Sequence, residues 1–152
     1  MLREPTFDDI NFIVECYQAW PKESARGPVY PSDARKWIKG WKRKSVDWEN
    51  ALIGETTEPV GLVTYMIDPP SSQVFEIVVP SRLQGMGHST EILRALHTRF
   101  VRQGVDECTY EALPGVIADL TTQGRFQKTG EGVGRHTGLP TVKGRVTRDT
   151  VI

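Results

Sequence analysis

The chain has 152 residues, with 19 basic side chains balanced by 19 acidic ones. That length can bury a substantial core, and a single domain over residues 1–152 is expected. The neutral balance removes any global argument for nucleic acid or an anionic membrane. No apolar run approaches the roughly 20 residues of a membrane span, and the start, MLREPTFDD, lacks the apolar region of a secretory signal. Cys16 and Cys108 show no metal-ligand spacing and read as small apolar residues in a reducing compartment. The expectation is a cytoplasmic protein with no membrane partner.

In chain order, residues 1–5 suggest a short edge strand that Pro5 ends. Thr6 then offers an N-cap with Asp9 three positions on, and Ile10, Ile13, Val14 and Tyr17 make the apolar face of a first helix stopped by Pro21. Pro21, Gly27, Pro28 and Pro31 predict an irregular loop. Ser32 is the expected cap of a second helix, with Ala34, Trp37, Ile38 and Trp41 as its buried stripe. Arg35, Lys36, Lys39, Lys42, Arg43 and Lys44 share that helix without an acid among them. Such a face is either solvated over a tryptophan-anchored core or directed at nucleic acid or an acidic partner.

Residues 48–55 and 60–67 predict two strands joined by a polar turn, the second nearly all apolar and therefore central. A third strand carries the run Val74-Phe75-Glu76-Ile77-Val78-Val79, stopped by Pro80, with Glu76 as its one charge. A turn follows, Arg82-Leu83-Gln84-Gly85-Met86-Gly87, and then a helix in which Ile92, Leu93, Leu96 and Phe100 share a face until Gly104. Strand, glycine turn and helix together place backbone N–H groups and a helix N-terminus around an anion. A dinucleotide fingerprint would need glycine where Thr90 stands, and a P-loop would need Gly-Lys-Ser/Thr. The plainer alternative is that the glycines serve only a tight turn. Residues 107–113 then predict a strand, 116–122 a short helix, and 126–134 with 140–147 a final hairpin.

The (Arg/Gln)-x-x-Gly-x-Gly turn between an apolar strand and an amphipathic helix resembles the acetyl-CoA-binding motif of the GNAT N-acetyltransferase superfamily. The specific part of the resemblance is residues 73–104; element order extends it over about 2–146. The resemblance implies an α/β (α+β) fold, with a mixed, mostly antiparallel central sheet flanked by helices and splayed at the acetyl-CoA strand. It implies acetyl-CoA as co-substrate and an amine acceptor on a small molecule or protein. The backbone of Leu83, Gln84, Gly85, Met86, Gly87, His88 and Ser89, with Arg82, would hold the diphosphate, and Ile77, Val78 and Val79 the pantetheine arm. His88 either approaches a phosphate or is simply an exposed histidine at a helix start.

Many family members carry a glutamate on this strand as general base, which implies that role for Glu76. The bland reading is a side chain turned by alternation to solvent or to a basic neighbour. One departure concerns the acid: residues 120–123 lack the family's tyrosine, and Gly124-Arg125-Phe126 matches its Gly-Phe signature with one residue inserted. Tyr110 is the nearest replacement, or else an ordinary strand tyrosine.

Three readings follow. The first is an acetyl-CoA-dependent N-acetyltransferase. The second is a catalytically silent GNAT-like structural or interaction protein, as in some bacteriophage virions. The third and least favoured is a nucleic-acid-associated module using the basic helix and the hairpin cations Arg125, Lys128, Arg135, Lys143, Arg145 and Arg148, against Glu131. A homo-oligomer or larger assembly is compatible with each. Loop 21–34 and the last hairpin should build the acceptor pocket, and the basic helix at its rim implies acidic or phosphate-bearing acceptors.

Overall fold

The computed structural model describes residues 1–18, 28–43, 49–112, 127–134 and 136–150. The helix expected at 116–122, the Gly124-Arg125-Phe126 stretch and residues 21–27 of the loop expected at 21–34 lie outside the described residues. The strands are β1 (Leu2–Arg3), β2 (Asn50–Glu55), β3 (Pro59–Asp68), β4 (Ser71–Val78), β5 (Glu107–Ala112), β6 (Gln127–Val133) and β7 (Pro140–Thr147). The helices are α1 (Ile10–Tyr17), α2 (Pro31–Trp41) and α3 (His88–Arg102), with single 3₁₀ turns at Phe7–Asp9 and Ser81–Leu83.

These strands form one sheet in the order β1-β2-β3-β4-β5-β7-β6. Every pair is antiparallel except β4 with β5. A parallel pair needs a long crossover, and α3 supplies it, covering one face of the sheet. Ile92, Leu93, Leu96 and Phe100 of α3 pack there with Leu52, Val63, Val74, Ile77 and Tyr110. The opposite face is covered by α1 and α2, whose Ile13, Cys16, Tyr17, Ala34, Ile38 and Trp41 meet Ala51, Ile53, Leu62 and Val78. No helix among the described residues is long and apolar enough to cross a membrane.

Local signals explain where the elements begin. Thr6 and Asp9 form the expected reciprocal cap, with Asp9 accepting the Thr6 N–H at 2.8 Å. Arg3 grips the same carboxylate with N···O distances of 2.9 and 2.8 Å, tying β1 to the start of α1. The cap of α2 differs from expectation. Tyr30, not Ser32, is the N-cap, and Asp33 reaches back to its N–H at 2.8 Å. Pro31 explains the shift: its fixed φ suits the first helical position, so the helix starts one residue before the serine. The final hairpin folds as expected, but β7 inserts between β5 and β6.

Candidate active site

The site begins with an irregularity in β4. Tyr65 pairs with Val74 and Thr64 with Glu76, so Phe75 is an extra residue, a β-bulge. The bulge lets Val74 and Ile77 share the α3 face, while Glu76 and Val78 turn to the α1/α2 face. It also ends the parallel pairing: β4 and β5 are bonded over Ser71–Val74 and Glu107–Tyr110, and beyond that the strands part. The sheet is splayed where the resemblance implied, beside Glu76, Ile77 and Val78.

Glu76 is 4% exposed. Both carboxylate oxygens accept backbone N–H groups, from His136 at 2.7 Å and Thr137 at 3.0 Å. These donors belong to the turn joining β6 to β7, closed by Gly134 N–H on the Leu139 carbonyl and Gly138 N–H on the Gly134 carbonyl. The turn sits tightly on the carboxylate: a Cβ on Gly134 would lie 2.1 Å from Thr137 Oγ1 and 2.8 Å from Glu76 Oε2. Burial pushes the Glu76 carboxyl above its ordinary range, against the opposing pull of His136 and the N–H donors. Neither bland expectation describes it, for it meets neither solvent nor a basic strand neighbour. A cavity of about 10 Å³ lies between Glu76, Ile77, Val78, Glu111, Thr137 and Thr141. That is about the space of one water. Glu111, also buried, accepts the Thr141 hydroxyl at 2.6 Å.

Beyond Val78 the glycine turn opens. Its N–H groups divide into two sets. Those of Leu83 and Gln84 bond the carbonyls of Pro80 and Ser81 within the 3₁₀ turn, so they point inward. Those of Gly85, Met86, Gly87, His88, Ser89 and Thr90 meet no acceptor among the described residues. Gly85 and Gly87 have φ of 79° and 83°, a region other residues adopt at a cost, and α3 starts at Gly87 without a side-chain cap. A Cβ at either glycine would meet nothing within 4 Å. The turn is therefore a row of outward amides at a helix N-terminus, an arrangement suited to an anion. Arg82 is engaged elsewhere: it pairs with Glu15 of α1 and, at 3.1 Å, with Glu58 of the β2–β3 turn. Hydrogen bonds to those two carboxylates raise its pKa further. Gln84 caps the carbonyl of Val79 at 3.1 Å.

Tyr110 is not brought to Glu76. It pairs with Val74 and lies on the α3 face, 1% exposed, while Glu76 occupies the other face. Burial raises its hydroxyl well above the ordinary range, and neighbouring Cys108, itself pushed up to about 11 by burial, adds to this.

Sequence reasoning missed a second polar group on the Glu76 face. His136 Nε2 lies 2.9 and 3.1 Å from the oxygens of Glu49, which also accepts Trp41 Nε1–H at 2.8 Å. Trp37 stacks on the imidazole at 4.3 Å between centroids, and Tyr17 approaches edge-on at 6.2 Å. Glu49 and His136 stand 87 residues apart, one before an apolar strand and the other in a glycine-flanked turn. A buried-strand pattern preceded by a lone acid was the available signal. Two larger cavities among the described residues, of about 210 and 440 Å³, border Arg99 and Gln103 near the far end of α3, away from the glycine turn.

A mixed sheet with a bulged, splayed fourth strand, a glycine turn and a crossover helix defines a class of α/β architecture. The chain has the fold of the GNAT N-acetyltransferases. An acetyl transferase from Salmonella typhimurium that modifies the N-terminal serine of the 50S ribosomal subunit protein L7/L12 superposes with a TM-score of 0.73 at 15% identity, covering 96% of this chain and 93% of that one. An N-acetyltransferase from Staphylococcus aureus Mu50 gives 0.71 at 16%, covering 98% of both. A putative acetyltransferase from Salmonella typhimurium, solved with acetyl-CoA, gives 0.67 at 18%, covering 99% and 95%. No family model matches the sequence, and no curated protein matches it.

Proposed function

We propose that the protein is an acetyl-CoA-dependent N-acetyltransferase acting on an amine. The observation that carries this is the row of outward amides from Gly85 to Thr90, directly after a strand that parts from its neighbour. Those amides and the positive end of α3 would hold the diphosphate, and the parted edge of β4 at Ile77 and Val78 would hold the pantetheine arm. Leu83 and Gln84 then contribute shape rather than N–H groups. Arg82 would reach a phosphate by exchanging it for Glu15 or Glu58, and both exposed pairs are inexpensive to break.

In the reaction the acceptor amine attacks the thioester carbonyl and the C–S bond breaks. The amine must first lose the proton of its ammonium form. Glu76 would take that proton, through a water in the small cavity that it shares with Glu111 and Thr141. Beyond the two backbone N–H groups and the Thr137 side chain it accepts, the carboxylate keeps a lone pair for that water. The thiolate leaves without help from Tyr110, because a thiol near pKa 8.5 is a tolerable leaving group. Buried carboxylates at Glu49, Glu76 and Glu111 favour a cationic amine. This replaces the preference for acidic acceptors suggested by the basic helix. The hairpin cations Lys128, Arg145 and Arg148 are paired with Glu131, Glu107 and Asp106, which weakens a nucleic-acid role there.

The test is a calorimetric titration with acetyl-CoA followed by thiol-release assays over a panel of primary amines. Binding with turnover supports the reading; binding without turnover of any amine supports the silent GNAT-like alternative; absence of binding removes both the cradle and the reaction.

A further inference from the structure

The contacts beyond Glu76 form a continuous chain that acetyl transfer, as described, does not use. Glu76 accepts the N–H groups of His136 and Thr137; the His136 imidazole crosses to Glu49; Glu49 is held by Trp41, and Trp37 covers the ring. Glu49 is 6% exposed and the His136 side chain 11%. A carboxylate that deep requires a reason to be there, since an apolar side chain of similar size would pack without the desolvation cost. The same buried ring that satisfies Glu49 belongs to the residue whose backbone faces Glu76.

We infer that Glu49 and the imidazole of His136 are positioning residues for Glu76: they pin the 134–139 turn so that its backbone N–H groups stay on the Glu76 carboxylate. This rests on the reading of Glu76 as the base. Thr137 and Leu139 of the turn are buried, whereas β6, which leads into it, is an exposed edge strand that gives it no support from outside among the described residues. Its own bonds, Gly134 to Leu139 and Gly138 to Gly134, fix its shape but not its seat against β4. The imidazole supplies the seat, anchored to the start of β2 and stacked on α2.

The consequence is electrostatic. Among the described residues, the groups facing Glu76 are the N–H and ring of His136 and the N–H and side chain of Thr137 from the turn, Glu111 from β5 across the small cavity, and Glu49 behind the ring. The His136 charge, the two backbone N–H donors and the Thr137 side chain stabilise the ionised carboxylate, whereas burial opposes it. Loosening the turn's seat lengthens the N–H contacts while the turn still covers the carboxylate, so the favourable contribution falls and burial remains. Glu76 would then hold its proton to higher pH and be a base over a narrower range.

The experiment follows the Glu76 side-chain carboxyl by ¹³C NMR during a pH titration of the protein without ligand. It compares wild type, Glu49→Gln, His136→Ala and His136→Gln, with kcat and KM measured against pH alongside. His136→Ala should raise the Glu76 midpoint by roughly one pH unit. The acid limb of kcat should move up with it, while acetyl-CoA affinity stays near wild type. Glu49→Gln should move both in the same direction by less. His136→Gln, which can still donate to Glu49, should restore most of the wild-type midpoint. An unchanged midpoint in His136→Ala and Glu49→Gln overturns the inference. So does a His136→Gln titration matching that of His136→Ala, since the ring's charge rather than its anchorage would then be responsible. Wild-type turnover in Glu76→Gln would sink the assignment of the base instead, and the NMR midpoints would still decide the positioning.

Discussion

Two glycine-bearing turns flank β4, and they use the same chemistry in opposite states. The turn at 134–139 presents backbone N–H groups that are already occupied by the chain's own carboxylate, Glu76. The turn at 85–90 presents a row of N–H groups with no acceptor among the described residues. Backbone amides are strong donors, and an arrangement that leaves several aligned and outward at a helix start is completed by an anion from outside. The first turn is thus closed on the chain's own carboxylate, while the second is open, as the proposed diphosphate site requires. Gly134 and Gly87 differ accordingly: one lacks a side chain because there is no room, the other because of its backbone angle, with open space around it.

The sharpest way to break the closed side is at its centre. Glu76→Gln should lower the chemical step by roughly 10²–10⁴ while leaving acetyl-CoA affinity within a few-fold. Stopped-flow thiol release and calorimetry on the same preparation measure the two, and wild-type turnover would remove Glu76 from the mechanism. On the open side, Gly87→Trp should abolish ligand stabilisation, which for acetyl-CoA at one hundred times its Kd amounts to about 2.7 kcal/mol. Thermal melts with and without ligand report it. The variant should also lose some intrinsic stability through the positive φ, by about 1–2 kcal/mol.

Gly134→Ala is the steric counterpart on the closed side. Its Cβ would collide with Thr137 and approach Glu76, so the turn must shift at a cost of about 1–3 kcal/mol. Chemical denaturation measures that cost, and Gly87→Ala, with no such neighbour, should show only its φ penalty.

Acid stability separates two buried carboxylates with opposite shifts. Burial pushes the Asp9 carboxyl up, but Arg3 and the Thr6 N–H outweigh it and hold it below its ordinary value. Its contribution is present above the unfolded pKa of about 3.9 and is lost as pH falls through the lower folded value. Glu76 is raised, so between about 4.3 and its folded pKa the native state holds the extra proton and stability falls as pH rises. Urea melts from pH 3 upward should therefore show the Asp9→Asn deficit widening with pH and the Glu76→Gln deficit narrowing. Parallel slopes would contradict the assignment.

The smallest effect is expected from the basic face of α2. Lys39 and Lys42 are exposed, and Lys42 lies 4.0 Å over the ring of Phe7. Reversing both charges should leave the acceptor profile almost unchanged, because the proposed base Glu76, with Glu111 across the small cavity, is buried and not at the rim. A large change in salt dependence would return the basic helix to the account.

What the sequence made legible follows from locality. The apolar spacing of Ile92, Leu93, Leu96 and Phe100 gives both the helix and its buried face, and glycines at 85 and 87 are informative because only a few backbone shapes require them. Glu76 stood out as one charge in an apolar run. Its partner did not, because the donors are backbone N–H groups brought from a turn some 60 residues away, and backbone carries no sequence signature. The Phe75 bulge was hidden for a similar reason: a continuous apolar run conceals which residue is the extra one. Tyr110 was misleading because a tyrosine on a strand can face either side, and the parity that puts it under α3 is fixed by pairing with Val74 rather than by its own neighbours. Arg82 was legible as part of the motif, but Glu15 and Glu58, which engage it, come from separate elements.

The measurement that tests the account most directly is an amide-resolved NMR titration with acetyl-CoA. The account predicts saturable shifts centred on Gly85, Met86, Gly87, His88, Ser89 and Thr90, extending to Ile77 and Val78, with Leu83 and Gln84 comparatively unmoved. Binding that leaves the amides of residues 85–90 undisturbed, or no binding at all, would contradict it.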